Sequence, residues 1–150
     1  MNNIIFLDID GVLKHPTQNI WYPDALACIN AYCQHNNTDI VISSTWRLIK
    51  DLEFFNTLLN NRVTGITPDL STRYEHHTRH YECLHYIKEY NIQHYAMIDD
   101  RTDDYKDIST VIRTNDQVGI DLSIIFKLNA ILKGSIDYLI TENIDVVDKF

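Results

Sequence analysis

The sequence contains few glycines, only four in 150 residues, and they lie far apart. Phosphate-binding loops of the GxGxxG and GxxxxGK types need closely spaced glycines, because backbone amides must approach the ligand. The chain therefore contains neither loop. Its hydrophobic runs all stay well below the roughly 18 residues that a membrane-spanning helix needs. The N-terminal residues MNNIIFLDIDG have no basic region before a long apolar stretch, and we expect no signal peptide.

Positive charge and paired cysteines are also scarce. The chain has 13 Lys and Arg against 21 Asp and Glu, a net charge of −8 with neutral histidines. This balance disfavours non-specific binding to nucleic acid or anionic lipid, although it is compatible with a local basic patch. The three cysteines form no CxxC pair, and an odd number is more typical of a reducing compartment than of a disulfide framework. We expect a cytoplasmic protein that does not bind membranes; secretion without an N-terminal signal stays open.

The length and composition are those of one globular domain. Hydrophobic residues make up 45% of the chain and charged residues 23%, which excludes disordered and fibrous classes. No linker or repeat divides the sequence, and we expect a single domain over residues 1–150. The segment 135–150 is acidic and has no clear periodicity. We interpret it as a C-terminal extension of that domain.

Short apolar runs alternate with stretches of helical periodicity. The runs predict strands over 4–7, 39–43, 62–66, 95–98 and 110–112. Helices are predicted from Pro23, over 46–59, from an N-cap at Thr78, and over 122–132, with a loop over 67–77. In the helix over 46–59, four residues are expected to face the core: Leu48, Leu52, Phe55 and Leu59. This alternation predicts an α/β fold with a mostly parallel sheet.

Polar side chains follow three of the predicted strands. Asp8 and Asp10 follow the first strand, Ser44 and Thr45 the second, and the pair 99–100, both Asp, follows the strand over 95–98. Ligands of open α/β sheets bind outside the carboxyl ends of the strands. Four acids at one edge repel each other, and a bound divalent cation offsets that repulsion. Because all the ligands are oxygens, the sequence predicts a Mg²⁺ site.

These motifs resemble those of the haloacid dehalogenase (HAD) superfamily. The shared features are DIDGVL after a strand, a serine that closes the next strand, a basic residue that opens a later helix, and IDD. The segments ISSTWR, R-x-x-E and T-N…G-I are similar to those of the small HAD domains in RNA-repair proteins. The resemblance implies a three-layer, Rossmann-like α/β fold with a mostly parallel sheet. The two positions where this superfamily inserts caps hold short segments here, so no large cap domain is expected.

The resemblance also implies a role for each motif residue. Asp8 is the expected nucleophile, because a carboxylate can accept a phosphoryl group. Asp10 is the expected general acid and base. Ser44, Thr45 and Arg79 are expected to bind the substrate phosphate. The expected Mg²⁺ ligands are Asp8, the carbonyl of Asp10 and Asp100, with Asp99 expected either to bind the ion directly or to contact one of its ligands.

Together these features predict a Mg²⁺-dependent phosphatase, a phosphoric monoester hydrolase that acts through an aspartyl phosphate. The expected partner is a phosphorylated substrate, such as an RNA or DNA end or another large phosphorylated molecule. The alternative is a non-catalytic HAD-like binding or effector module, whose sign would be a broken set of acids. A phospho-receiver domain also uses acids at strand ends, but its acidic pair precedes the acceptor, an order that this chain lacks.

The clustered histidines and Arg47 are interpreted as structural rather than functional residues. Five of the seven histidines fall within 19 residues, at 76, 77, 80, 85 and 94. His76 and His80 with a third ligand are compatible with zinc, but a polar helix after a loop favours solvated histidines. Arg47 is interpreted as a solvent-exposed charge on a helix rather than as a substrate ligand.

Overall fold

Five parallel strands form one sheet in this computed structural model, which describes residues 2–140. The strands are β1 (Ile4–Leu7), β2 (Asp39–Ile42), β3 (Val63–Ile66), β4 (Tyr95–Asp99) and β5 (Val111–Arg113). Their order in the sheet is β3-β2-β1-β4-β5, and all four neighbouring pairs are parallel. The predicted α/β class and the five predicted strands are confirmed, and every strand bound lies within one residue of its predicted position.

Helices cover both faces of this sheet. They are α1 (Pro23–Asn36), α2 (Leu52–Leu58), α3 (Thr78–Glu89) and α4 (Leu122–Leu132). Alternate residues of β1 point to opposite faces. Ile5 and Leu7 pack in the core that contains α1 and α4, whereas Ile4 and Phe6 pack in a second core with α3. The three-layer architecture predicted from the sequence is therefore confirmed.

The helix predicted over 46–59 is divided in two. A 3₁₀ turn covers Thr45–Leu48, and α2 begins only after Asp51, whose carboxylate accepts a hydrogen bond from Phe54 N at 3.0 Å. This second N-cap starts a separate helix. Leu48 and Leu52 are consequently 54% and 44% exposed. The prediction that these two leucines face the core is wrong, whereas it holds for the other two positions, 55 and 59.

The N-cap of α3 is His77 rather than the predicted Thr78. His77 adopts a left-handed conformation with φ 57°. The first amides of the helix are satisfied from another segment, because Asp104 accepts from Arg79 N through its side chain at 3.1 Å and from His80 N through its carbonyl at 3.2 Å. A residue distant in sequence thus replaces the local cap. This contact also connects α3 to the loop that follows β4.

The strand order creates a crevice at the carboxyl ends of β1 and β4. The chain places β2 on one side of β1 and β4 on the other, and such reversals are where α/β sheets bind ligands. The segments 8–22 and 67–77, where a cap would be inserted, contain no helix or strand among the described residues. The prediction of a fold without a large cap is confirmed.

Two other predictions concern the ends of the chain and membranes. Of the interpreted extension over 135–150, residues 141–150 lie outside the described part, and the single-domain boundary stays a prediction. Across residues 2–140, no helix is long and apolar enough to cross a bilayer.

Candidate active site

Three carboxylates meet in the crevice between β1 and β4. Leu7 pairs with Ile98 in the parallel register, so Asp8 follows β1 directly beside Asp99 at the end of β4. One oxygen from each of Asp8, Asp99 and Asp100 lies within 4.8 Å of the other two. Asp8 and Asp99 are buried. The sheet thus concentrates negative charge where little water can screen it.

Arg79 on α3 bridges two of these acids. Its Nη1 lies 3.2 Å from Asp8 Oδ1 and 2.9 Å from Asp99 Oδ2. Tyr105 donates its hydroxyl hydrogen to the same Asp99 oxygen at 3.0 Å, and Arg101 N donates to Asp99 Oδ1 at 3.1 Å. Both oxygens of Asp99 therefore accept hydrogen bonds from the protein. Among the described residues, the buried Nε of Arg79 has no partner, so this side chain keeps a free donor.

Burial and mutual repulsion make the ionised cluster unfavourable. The pKa of Asp8 is raised well above its ordinary value, first by burial and then by the charge of Asp99, although Arg79 opposes the shift. The pKa of Asp100 is raised to about 6 by burial, a hydrogen bond with Asp99 and the charge of Asp99. The ionised carboxylates of Asp8 and Asp100 at neutral pH therefore oppose folding. A bound cation relieves that cost.

This shift predicts a specific dependence of stability on pH in metal-free protein. The folded-state pKa of Asp100 lies above its ordinary value of 3.8. Protonated Asp100 therefore stabilises the folded state, and this stabilisation is fully present below pH 3.8. It is lost as the pH rises through about 6. The free energy of unfolding of Asp100→Ala should therefore increase relative to that of wild type between about pH 4 and about pH 7, the range that the two pKa values span. Urea denaturation in EDTA measures it, and an opposite slope would contradict the raised pKa.

The acid cluster fits a hard divalent cation. Mg²⁺ is usually held by one or two carboxylates and completes its octahedron with water or substrate oxygens. Asp8 and Asp100 can supply such carboxylates, while Asp99 has both oxygens engaged with Arg79, Tyr105 and the backbone. Other than Asp8, Asp99 and Asp100, no three His, Cys, Asp or Glu side chains within 2–140 are close enough to share an ion. The described histidines therefore form no zinc site with His76 and His80.

Asp10 lies at the rim of the same crevice, and its side chain is 40% exposed. Its Oδ1 accepts hydrogen bonds from Lys14 Nζ at 3.2 Å and from Trp46 Nε1 at 3.1 Å. The carboxylate of Asp10 is thus held outside the acid cluster by two donors. No pattern in the sequence connects either donor with Asp10.

The turn after β1 is held by hydrogen bonds from the segment 114–120. Gly11 has φ 76°, and a Cβ on it would overlap the side chain of Asp100, whose Cγ would lie 2.6 Å away. Thr114 donates its hydroxyl hydrogen to Gly11 O at 2.8 Å, and Ile120 N donates to Val12 O at 3.0 Å. The T-N…G-I stretch of the sequence therefore holds the turn that carries Asp10.

The predicted phosphate-binding residues occupy different positions. Thr45 is exposed and lines the crevice, a cavity of about 350 Å³, together with Asp8, Asp10, Arg79 and the two acids that end β4. Ser44 is buried, and its Oγ accepts a hydrogen bond from Trp46 N at 3.2 Å as the cap of the 3₁₀ turn. Ser44 is not among the residues that line the cavity. Thr45 and Arg79 are therefore the predicted residues with direct access to it.

Arg47 is buried, and its interpretation as a solvent-exposed charge is wrong. Its guanidinium donates to the carbonyls of Ser44, Thr67 and Pro68 and forms a 2.8 Å ion pair with Glu82 on α3. Glu82 Oε2 also accepts from a backbone amide, at position 70, at 3.0 Å. The short 3₁₀ turn directs Arg47 inward, where it joins the ends of β2 and β3 to the helix that carries the bridging arginine.

Removal of the charged side chain of Arg47 should strongly destabilise the fold. Arg47→Met leaves Glu82 buried without its charge partner, at a cost of about 3–5 kcal/mol. The double variant Arg47→Met/Glu82→Gln should recover a substantial part of that loss, because the unpaired charge is gone. Arg101→Met is the matched control, since its pair with Asp103 is about 70% exposed and should change stability little. Equal losses in the single and double variants would contradict a paired buried charge.

Several site residues gave no signal in the sequence. Tyr105 and Asp104 belong to an irregular loop after β4, and neither matches a motif or a helical period. Lys14 follows Asp10 by four residues, but that spacing suggests a contact only in a helix. Trp46 belongs to the ISSTWR segment and to the predicted helix over 46–59, but neither pattern indicates a contact with Asp10. These contacts depend on how the loops fold over the sheet edge.

The parallel sheet with acids at the β1 and β4 ends, without an inserted cap, defines a small HAD-type α/β domain. Residues 4–123 match the family described as the HAD domain in Swiss Army Knife RNA repair proteins. The match covers most of the chain, and the protein belongs to this family. Comparisons with curated proteins and with solved structures give no match.

Proposed function

We propose that this protein is a Mg²⁺-dependent phosphohydrolase that forms an aspartyl phosphate on Asp8. The observation that carries the proposal is the bridge of Arg79 between Asp8 and Asp99, beside Asp100. Arg79 and the expected nucleophile both line a cavity of about 350 Å³. Asp8, Arg79 and the cavity therefore provide what phosphoryl transfer needs: an acceptor, a positive charge and space for the phosphoryl group.

In the proposed first half-reaction, a carboxylate oxygen of Asp8 attacks phosphorus. The new O–P bond forms as the ester bond to the leaving group breaks. The leaving-group oxygen takes the proton of Asp10, so the alcohol departs neutral. Arg79 and Thr45 bind the phosphoryl oxygens through N–H and O–H donors. Ser44 holds the 3₁₀ turn that presents Thr45.

In the second half-reaction, water attacks the phosphorus of the aspartyl phosphate. Asp10, now ionised, takes the proton of that water as the bond between Asp8 and phosphorus breaks. Inorganic phosphate leaves, and both aspartates return to their starting states. Asp8 and Asp100 are the proposed side-chain ligands of Mg²⁺, with the carbonyl of Asp10. Of the two roles left open for Asp99, we propose the indirect one, in which it orients Arg79. The bound cation supplies positive charge that offsets the charge of the phosphoryl oxygens.

The proposed substrate is the phosphorylated end of a polynucleotide. The family description, RNA repair, supports this choice, and so does the short length of the segments 8–22 and 67–77 that border the cavity. A crevice without a cap admits the end of a long chain. The net charge of −8 weakens binding along the polynucleotide, so recognition is proposed to concentrate on the end. The protein is proposed to act in the cytoplasm.

A phosphate-release screen tests the proposal. The substrates are RNA and DNA oligonucleotides with 3′- or 5′-phosphates, nucleotides and phosphopeptides, each with Mg²⁺ and with EDTA. We expect Mg²⁺-dependent release from one class of polynucleotide end. Release from small esters alone would contradict the proposed substrate. A protein that binds phosphorylated ends without any release would support the alternative, a non-catalytic binding module.

A further inference from the structure

The expected acid and base, Asp10, is held through one of its two carboxylate oxygens. Lys14 Nζ at 3.2 Å and Trp46 Nε1 at 3.1 Å both donate to Oδ1. Over the described part of the chain, no hydrogen bond to Oδ2 accompanies them. The donors come from different segments, the turn after β1 and the 3₁₀ turn after β2. Two donors on one oxygen fix the orientation of the carboxyl group and leave the other oxygen available.

Lys14 is a buried lysine whose place is fixed by the turn. It is 5% exposed, and its Nζ also donates to His15 O at 2.7 Å. Its own carbonyl accepts from Gly11 N at 2.8 Å. A buried ammonium group needs compensating partners, and Asp10 is the carboxylate that provides one. Burial of a lysine costs free energy that an apolar side chain of similar size would not cost.

Trp46 is fixed by aromatic packing on its ring. The ring stacks on Phe54 with centroids 6.0 Å apart, and it meets the edge of Trp21 at 5.7 Å. These contacts leave the indole N–H directed at Asp10. The backbone N of Trp46 is itself bound by Ser44 Oγ. The orientation of Asp10 is therefore coupled to the turn that presents the proposed phosphate ligands.

We propose that Lys14 and Trp46 are positioning residues that hold Asp10 through Oδ1, so that Oδ2 exchanges the proton with the leaving group and with water. The inference rests on the proposed phosphohydrolase function and extends it to Lys14, which lies outside the motifs, and to Trp46, the tryptophan of ISSTWR. Its chemical basis is the geometric demand of proton transfer, because a displacement of about 1 Å can cost about a hundredfold in rate. Neither residue is proposed to touch the substrate.

The dependence of the rate on the leaving group distinguishes this role from a structural one. p-Nitrophenol departs without a proton, whereas the sugar hydroxyl of a 3′-phosphorylated oligonucleotide needs one. Trp46→Phe keeps the ring and removes the N–H, and Lys14→Met keeps the chain length and removes the charge. At saturating ester, we expect each variant to slow single-turnover cleavage of the oligonucleotide by about tenfold or more, but that of p-nitrophenyl phosphate by less than about threefold. Phe126→Leu is the control, because this aromatic residue on α4 is 52% exposed and does not line the cavity, and it should leave the ratio of the two rates unchanged.

A second measurement tests the contact without turnover. The chain has two tryptophans, so its NMR spectrum contains two indole N–H signals. Asp10→Ala should shift the signal of Trp46 and leave that of Trp21 in place. An unmoved Trp46 signal, or equal losses on both esters, would overturn the positioning role while the proposed function stands. A wild-type protein that cleaves no ester would overturn the proposed function, and this inference with it.

Discussion

Replacement of Asp8 by asparagine should reduce turnover by more than about a thousandfold, because the amide cannot accept the phosphoryl group. Arg79 keeps its 2.9 Å contact with Asp99, and the amide is close in shape to the carboxylate. The pKa of Asp8 is raised by burial and by Asp99, so loss of its charge should not reduce the melting temperature. Phosphate release and thermal unfolding, measured on the same preparation, check both parts.

The matched control for this variant is Asp103→Asn. Asp103 lies in the loop after β4, and its side chain is 69% exposed and paired with Arg101. The chemical change is identical, but it is made outside the acid cluster, so activity should stay near that of the wild type. Trapping with a labelled ester should give a covalent adduct in wild type and none in Asp8→Asn. An Asp8→Asn protein that retains a tenth or so of the activity would assign the nucleophile to another group.

Much of the fold was predictable because the apolar pattern is strong. The first and fourth strands are continuous apolar runs that end at acids, and the parallel register places Asp8 beside Asp99. Three of the four predicted acids, Asp8, Asp99 and Asp100, therefore meet without any further assumption, whereas the carboxylate of Asp10 lies at the rim. The helix over 46–59 was mispredicted because its apolar period continues through a second N-cap at Asp51. A period indicates which residues share a face, but a cap determines where that face begins.

The contacts that orient the site were not predictable from local pattern. Arg47 forms a buried pair with Glu82, 35 positions later, and only the assembled sheet brings them together. Tyr105 reaches Asp99 from a loop without periodicity. Arg47 and Glu82 lie in the segments ISSTWR and R-x-x-E, but no local pattern indicates that they pair with each other. The motifs therefore identified residues expected to react, while the contacts that orient them emerged from the tertiary structure.

Addition of Mg²⁺ should raise the melting temperature of the wild-type protein by about 5–10 °C. A cation at about one hundred times its Kd adds about 2.7 kcal/mol of stability, and about 2–4 °C follows from each kcal/mol in a domain of this size. The acid cluster explains the effect, because Asp8 and Asp100 repel Asp99 until a cation binds. Ca²⁺ should also stabilise the fold but support little turnover, since its looser coordination holds the nucleophile less strictly.

Asp100→Ala separates binding at this site from general effects of salt. The variant should lose the stabilisation by Mg²⁺, yet its metal-free form should melt no earlier than wild type, because one of three crowded charges is gone. Asp103→Ala, an acid in the neighbouring loop, should keep the full response to Mg²⁺. The shift should also shrink between pH 7 and pH 5 (about the interval around the raised pKa of Asp100, about 6), because protons compete with the cation for the same oxygens. If Asp100→Ala still melts later with Mg²⁺, the cation binds elsewhere and the acids at the ends of β1 and β4 are not its site.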